Sequence, residues 1–314
     1  MTQQNYKING QIVLMSPNEL FERTFKYMDE HVVPKLIDRT YSGEKQYFFN
    51  NFGNYSKEKI DNINHNKVNN DLPEKFITFI IPIKNRTQRL YIQLENLCKV
   101  LDFKQVDIII VEDESTDNFN IDMLPENIRN HIRYYRVRTF TTWSRSKLMN
   151  FGIAKTNTKF ILANDVDFIY GPNFLKELRE CCIKNDFNKY SIGLSLWESH
   201  DSFWNNNQIM RYAYEPYSAC YIYDTEILKQ IGGFDTTIIN HGTEDRELQK
   251  RLSKNGCETI YGHLLYPNLY VIHYSHDNIT RGPGRTPTEQ NYIMNKNDKI
   301  IPFIYELEIV KSYN

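Results

Sequence analysis

The period of the hydrophobic positions changes along the chain, and each change predicts an element. Residues 76–82 read Phe-Ile-Thr-Phe-Ile-Ile-Pro. An apolar run of that length predicts a strand buried on both faces of a parallel sheet. Leu90, Ile92, Leu94 and Leu97 follow as the apolar positions of a helix, and residues 106–111 form a second apolar run. Strand, helix, strand at this spacing predicts a βαβ unit, whose ligands bind beyond the carboxyl ends of its strands. A third strand is predicted at 133–137, and Ser144 is placed to cap a helix through Lys147, Leu148, Phe151 and Ala154. The run Phe-Ile-Leu-Ala at 160–163 predicts the next strand.

Downstream, Pro172 is predicted in the first turn of a helix with Phe174, Leu175, Leu178 and Cys182 as its apolar stripe. Residues 190–225 are aromatic and read as short strands. A helix over 226–231 ends at Gly232. Thr243 is the expected N-cap of a helix with Leu248 and Leu252 inward and Gly256 as its stop. Residues 270–273 predict a last strand. The first 42 residues differ in character. Asn18 is placed to cap a helix through Leu20, Phe21, Phe25, Met28 and Val32, with Pro34 ending it. Residues 43–70 turn to Asn, Lys, Tyr and Gly and read as linker. The expected division is an N-terminal helical extension and linker over 1–72 and an α/β domain over 73–314.

Composition narrows the classes. Forty per cent apolar content over 314 residues suffices for a real core, and a net charge of −1 argues against nucleic acid as a partner. Five cysteines without a Cys-X-X-Cys pair suggest free thiols in a reducing compartment. No cationic leader precedes an apolar run, and no stretch reaches the roughly 20 apolar residues that span a bilayer. A soluble cytoplasmic protein, at most in peripheral contact with a membrane, is the expectation. The first strand is not followed by Gly-X-Gly-X-X-Gly, which argues against a dinucleotide-binding oxidoreductase.

The chemistry centres on Asp165-Val166-Asp167. Alternate residues of a strand point the same way, so both carboxylates could converge from the strand's end on a hard divalent cation that also bridges nucleotide phosphates. Glu244 and Asp245 open a helix, where acids also complement the helix dipole. Trp197 and Trp204 are candidate sugar-stacking surfaces, with core packing the alternative.

In order along the chain, these elements resemble a GT-A glycosyltransferase of the broad family 2 type over about residues 74–280. The turn from Pro82 to Arg86 resembles that family's Pro-X-X-Asn-Arg, and residues 111–117 resemble its Val-Asp-Asp-Gly-Ser-Thr-Asp. There the chain departs, with Glu112 for the first Asp and Glu114 for Gly. Asp165-Val-Asp167 resembles the metal-binding Asp-X-Asp. Gly232-Gly-Phe-Asp235 followed by Gly242-Thr-Glu-Asp245 is similar to elements of galactosyl- and N-acetylgalactosaminyltransferases, including chondroitin-polymerase-like enzymes.

The resemblance implies a Rossmann-like, mixed but mostly parallel sheet flanked by helices. It implies Pro82, Asn85, Arg86 and Asp113 around the nucleotide, Arg145 against a phosphate or the donor sugar, and Gly233 beside the substrate. Asp167 and Asp165 would hold Mn²⁺ or Mg²⁺, with His273 as third ligand and His276 as the alternative. Asp245 would be the general base and Glu244 would bind sugar hydroxyls, with the reverse assignment open. Arg281, on a basic loop with Arg285, would close over the diphosphate. The implied activity is inverting transfer of a hexose or N-acetylhexosamine from a UDP-sugar to a glycan or lipid-linked glycan acceptor, in surface polysaccharide or capsule synthesis. A sugar nucleotidyltransferase would carry a Gly-rich basic turn after the first strand, which residues 82–86 are not. A non-catalytic glycan-binding protein on the same fold is disfavoured by the intact Asp165, Asp167 and Asp245.

Overall fold

A computed structural model describes residues 4–8, 11–15, 22, 72–117, 119–141, 143–199, 211–213, 220–239, 243–262, 266, 269–274 and 300–313. The strands are β1 (Gln4–Ile8), β2 (Gln11–Met15), β3 (Ile77–Ile83), β4 (Val106–Asp113), β5 (Ile132–Arg138), β6 (Phe160–Ala163), β7 (Phe168–Tyr170), β8 (Tyr190–Gly193), β9 (Ser195–Ser199), β10 (Arg211–Ala213), β11 (Tyr221–Asp224), β12 (Glu258–Tyr261), β13 (Tyr270–Tyr274) and β14 (Glu308–Tyr313). The helices are α1 (Thr87–Val100), α2 (Glu126–Arg129), α3 (Arg145–Lys155), α4 (Phe174–Lys184), α5 (Thr225–Gln230) and α6 (Glu244–Lys254).

Eight strands form the central sheet in the order β12-β8-β11-β6-β3-β4-β5-β14. Four of its seven pairings are parallel, and β11 and β14 supply the antiparallel ones. Two-sided burial explains the unbroken apolar run in β3. Phe79 and Ile81 pack into one layer with Leu90, Leu94 and Leu97 of α1 and Phe174, Leu178 and Cys182 of α4. Ile80, one residue out of phase, packs into the other layer with Met149 and Ile153 of α3, Leu228 of α5 and Leu248 and Leu252 of α6. Each such side chain contributes roughly 1.5–3 kcal/mol on burial. A β-strand places successive residues on opposite faces, so a sheet covered on both sides selects apolar residues at every position.

A second sheet, β10-β9-β13-β7, stands beside the first. Its importance is positional. In the antiparallel pairing of β13 with β7, His273 lies opposite Phe168 and thus next to the Asp165–Asp167 turn.

Several expectations change. Pro172 precedes the helix rather than entering it, because α4 starts at Phe174 with Asn173 as its N-cap. Thr243 does not cap α6 through its side chain. Its backbone is left-handed (φ 77°) rather than in the extended conformation usual for a capping residue. The expected N-terminal helix through Val32 lies outside the described residues except for Glu22, which is helical. Upstream of it, β1 and β2 pair as an antiparallel hairpin that the hydrophobic pattern did not predict. Strand β14, also unpredicted, closes one edge of the central sheet by pairing with β5.

Candidate active site

Because β3, β4, β5 and β6 run parallel, the loops after them emerge on one edge of the sheet. Among described non-glycine residues, Asn85, Glu114, Phe140 and Thr243 have positive φ. The first three follow β3, β4 and β5, and the fourth immediately precedes Glu244. Left-handed backbone at such residues costs of order 1–3 kcal/mol and concentrates where function imposes a shape.

The loops after β3 and β4 are zipped together. The Asn85 amide N–H donates to Ser115 Oγ (2.9 Å), and Asn85 Oδ1 accepts from the Thr116 amide (2.7 Å). Asp117 Oδ2 accepts from the Thr87 amide at 2.8 Å, so α1 is capped from the neighbouring loop. Asp113 is buried and takes an ion pair from Lys84 (2.9 Å) and hydrogen bonds from the Thr139 amide and hydroxyl (3.2 and 2.9 Å). Asn85 and Asp113 thus bind neighbouring loops with the oxygens that sequence reasoning aimed at a nucleotide, and Asp113 also lines a cavity there. Pro82 is buried inside β3 opposite Val111.

The two departures from the family pattern each have a structural account. Glu112, fully buried, accepts from the Tyr134 hydroxyl and from the Ser115 amide (3.0 Å). Glu114, at φ 37°, takes a forked pair from Arg138 (2.7 and 2.8 Å). That pairing holds its carboxyl below the usual carboxylate range. Its positive φ falls where the family has glycine.

The carboxylates of the Asp-Val-Asp segment do not sit on a strand. Strand β6 ends at Ala163, and 164–167 form the turn into β7, with Val166 buried in the core. The two side chains take different partners there. Asp167 is buried, with Oδ2 accepting from Arg86 Nη1 (2.8 Å) and Oδ1 3.4 Å from His273 Nε2. Asp165, with its side chain 31% exposed, takes Arg145 Nε at 3.0 Å. Gln93 of α1 holds the turn from below, donating to the Asp165 and Phe168 carbonyls (2.7 and 3.2 Å). Polar Gln93 and Asn96 on the buried face of α1 were the legible signal for this support, and the apolar count passed over them.

Arg145 opens α3, capped by Ser144, and is almost fully buried. Its Nε serves Asp165 while its Nη1 serves Asp245 at 2.9 Å, and its guanidinium carbon stands 5.5 Å from the Phe234 ring centroid. Burial opposes its charge, but Asp245, Asp165 and Glu244 more than offset that and raise its pKa above the ordinary value. Arg145 thus bridges Asp165 and Asp245 inside the protein.

Glu244 is 3% exposed, and its Oε2 has no hydrogen-bond partner among the described residues. Burial, and then the charge of Asp245, push its pKa up to about 7 against the pull of Arg145. The turn before α6 is fixed from behind. Arg251, fully buried, pairs with Glu247 and donates to the Ile231 and Gly233 carbonyls (2.6 and 2.7 Å). Asn150 of α3 accepts from the Phe234 amide (2.8 Å) and donates to the Phe234 and Ile304 carbonyls (2.9 Å each). Gly233 sits at φ 63°, and a Cβ there would stand 2.4 Å from Asn150 Oδ1. Its glycine therefore has a packing cause.

The structure thus joins Arg86, Asp167 and His273 in one contact set and Asp165, Arg145 and Asp245 in an adjoining one. No three His, Cys, Asp or Glu residues among those described form a ready metal cage. His276, Trp204 and Arg281 lie outside the described residues, and of Trp197 only its place in β9 is described.

Residues 78–232 match the family model described as glycosyl transferase family 2, and residues 204–277 match that described as the N-terminal domain of galactosyltransferase. The chain carries a glycosyltransferase family 2 domain. The fold is GT-A, as the similarity to solved structures shows. Staphylococcus aureus TarS 1-349, solved in complex with UDP-GlcNAc, aligns at TM-score 0.52 and 16% identity over 70% of this chain and 64% of that one. GalNAc-T7 with UDP, GalNAc and Mn²⁺ aligns at TM-score 0.51 and 14% identity over 69% of this chain and 47% of that one. The matches span less than two thirds of those chains' length. Comparison with curated proteins by sequence returns no match. No helix among the described residues is long and apolar enough to cross a membrane.

Proposed function

We propose that this glycosyltransferase is a metal-dependent inverting enzyme that moves a hexose or N-acetylhexosamine from a UDP-sugar to a hydroxyl of a glycan or lipid-linked glycan acceptor. Surface polysaccharide synthesis in the cytoplasm, with at most peripheral membrane contact, is the setting we assign to it. The observation that carries the reading is the Asp167–His273 pair beside Arg86, with Asp165, two residues before Asp167, joined to Asp245 through Arg145. Two donors 3.4 Å apart, one carboxylate oxygen and one imidazole nitrogen, fit a shared divalent ion such as Mn²⁺. Asp165 would complete the set on leaving Arg145, and His276 is the alternative to His273. When bound, such an ion supplies Lewis-acid neutralisation of a departing diphosphate.

The chain's own residues do the rest. Arg86 and Lys84 put positive charge at the carboxyl end of β3, where a diphosphate would lie. Arg145 fixes the Asp245 carboxylate, which takes the proton from the acceptor hydroxyl as that oxygen attacks the anomeric carbon. One attack assisted by one base inverts the configuration there. The buried Glu244 supports a second reading, in which a carboxyl with a pKa near 7 is the base and Asp245 only holds Arg145. Screening a UDP-sugar panel for UDP release, with Mn²⁺ and with excess chelator, tests the main reading. Release with Mn²⁺ and none in chelator is expected, and equal release in both would refute metal dependence.

A further inference from the structure

Phe140 is the least economical residue at the site. The residue is 75% exposed and its backbone is left-handed at φ 57°. Exposure forgoes the burial that stabilises a phenylalanine, and the left-handed backbone adds strain that Gly or Asn would avoid. The residue nevertheless stands on a rigid mount. Thr139 before it is locked to Asp113 by backbone and hydroxyl. Arg138 is forked onto Glu114, reaches Glu308 at 3.0 Å, and places its guanidinium carbon 5.7 Å from the Phe140 ring centroid.

The ring borders two adjoining cavities. One, about 540 Å³, is lined by Lys84, Asp113, Glu114, Arg138, Thr141 and the half-exposed Ile239 as well as Phe140. The other, about 380 Å³, lies towards Tyr305 and Leu307. In the larger cavity Phe140 and Ile239 are apolar and the rest of the lining is charged or hydroxylic. That combination suits a flat ring with polar edges. The sugar does not suit this place. Strand β5 lies three strands from β6, roughly 14 Å at the usual inter-strand spacing, so a sugar set between Asp167 and Asp245 is far from this ring.

We infer that Phe140 is the stacking platform for the base of the bound nucleoside diphosphate. The inference rests on the donor reading of the site given above and assigns to it a residue that the sequence did not single out. Base–aromatic stacking is worth about 1–3 kcal/mol by alanine substitution. That corresponds to a loss of roughly 5- to 150-fold in affinity.

The test is calorimetric titration of UDP, and of inorganic pyrophosphate as the base-free probe, into the full chain with Mn²⁺. Phe140→Ala should weaken UDP by that factor and leave pyrophosphate within about twofold. Phe140→Tyr should bind UDP as wild type does. Phe140→Trp should add emission that UDP quenches and pyrophosphate does not. Phe140→Gly separates stacking from a structural role. It should lose UDP affinity like the alanine variant while melting at or above the wild-type temperature, because glycine tolerates this backbone. Unchanged UDP affinity in Phe140→Ala overturns the inference, as does equal weakening of UDP and pyrophosphate. Wild-type protein that binds no UDP overturns the donor reading, and the inference falls with it.

Discussion

Glu244→Gln should make the protein less sensitive to alkaline pH and more stable above neutrality. The carboxyl is buried beside Asp245, and its pKa rises from 4.5 to about 7 on folding. Below pH 4.5 it is protonated in both the folded and the unfolded chain, so it contributes no pH dependence. Between 4.5 and 7 the unfolded chain gives up the proton while the folded one keeps it, so stability falls as pH rises. Above 7 both are ionised and the full penalty stands. A difference of 2.5 pH units at 1.36 kcal/mol per unit is about 3 kcal/mol. Glutamine has nothing to ionise. Urea unfolding of both proteins at pH 4.5, 6 and 8 should show a stability difference that moves in favour of the variant by up to about 3 kcal/mol. The electrostatic account of this corner fails if the difference between variant and wild type is the same at all three pH values, or if it moves towards wild type as pH rises.

Mn²⁺ titration should show binding that Asp167→Asn abolishes and His273→Ala weakens strongly, and full binding in both would remove the proposed ligands. Arg86→Gln takes away the guanidinium paired with buried Asp167, so it should destabilise the metal-free protein by roughly 1–3 kcal/mol after allowance for Arg86's partial exposure. Added Mn²⁺ should restore most of that loss in a thermal melt, and an unaffected melt would deny Arg86 that role. Gly233→Ala places a methyl against Asn150 and the Phe303 ring at φ 63°, so it should cost at least about 1–3 kcal/mol and lower turnover together with stability. A melting temperature equal to wild type would show that the turn can rearrange.

The parallel strands were readable because two-sided burial leaves apolar residues at every position, as in 76–82 and 106–111. The site was partly readable because Asp167, His273, Arg145 and Asp245 come from segments with recognisable order. What escaped was the tertiary partner of each group. Nothing local tells that Asp165 and Asp245 share one guanidinium, since Arg145 is 20 residues from one and 100 from the other. Gln93, Asn96 and Asn150 were passed over because buried amides interrupt an apolar period rather than build one. Periodicity likewise treats Phe140 as an ordinary apolar residue, and its exposure and left-handed backbone appear only in three dimensions. Strand β14 was missed because its side chains are largely exposed, so an edge strand there leaves little hydrophobic alternation to read.

The assignment of Asp245 as the base is tested most directly by UDP release from the preferred UDP-sugar at saturating donor and acceptor with Mn²⁺, wild type against Asp245→Asn. A positioned general base contributes roughly 10²- to 10⁴-fold, so turnover should fall by about that factor with donor affinity nearly unchanged. Equal turnover in the two proteins would contradict it and leave Asp245 as no more than the partner of Arg145.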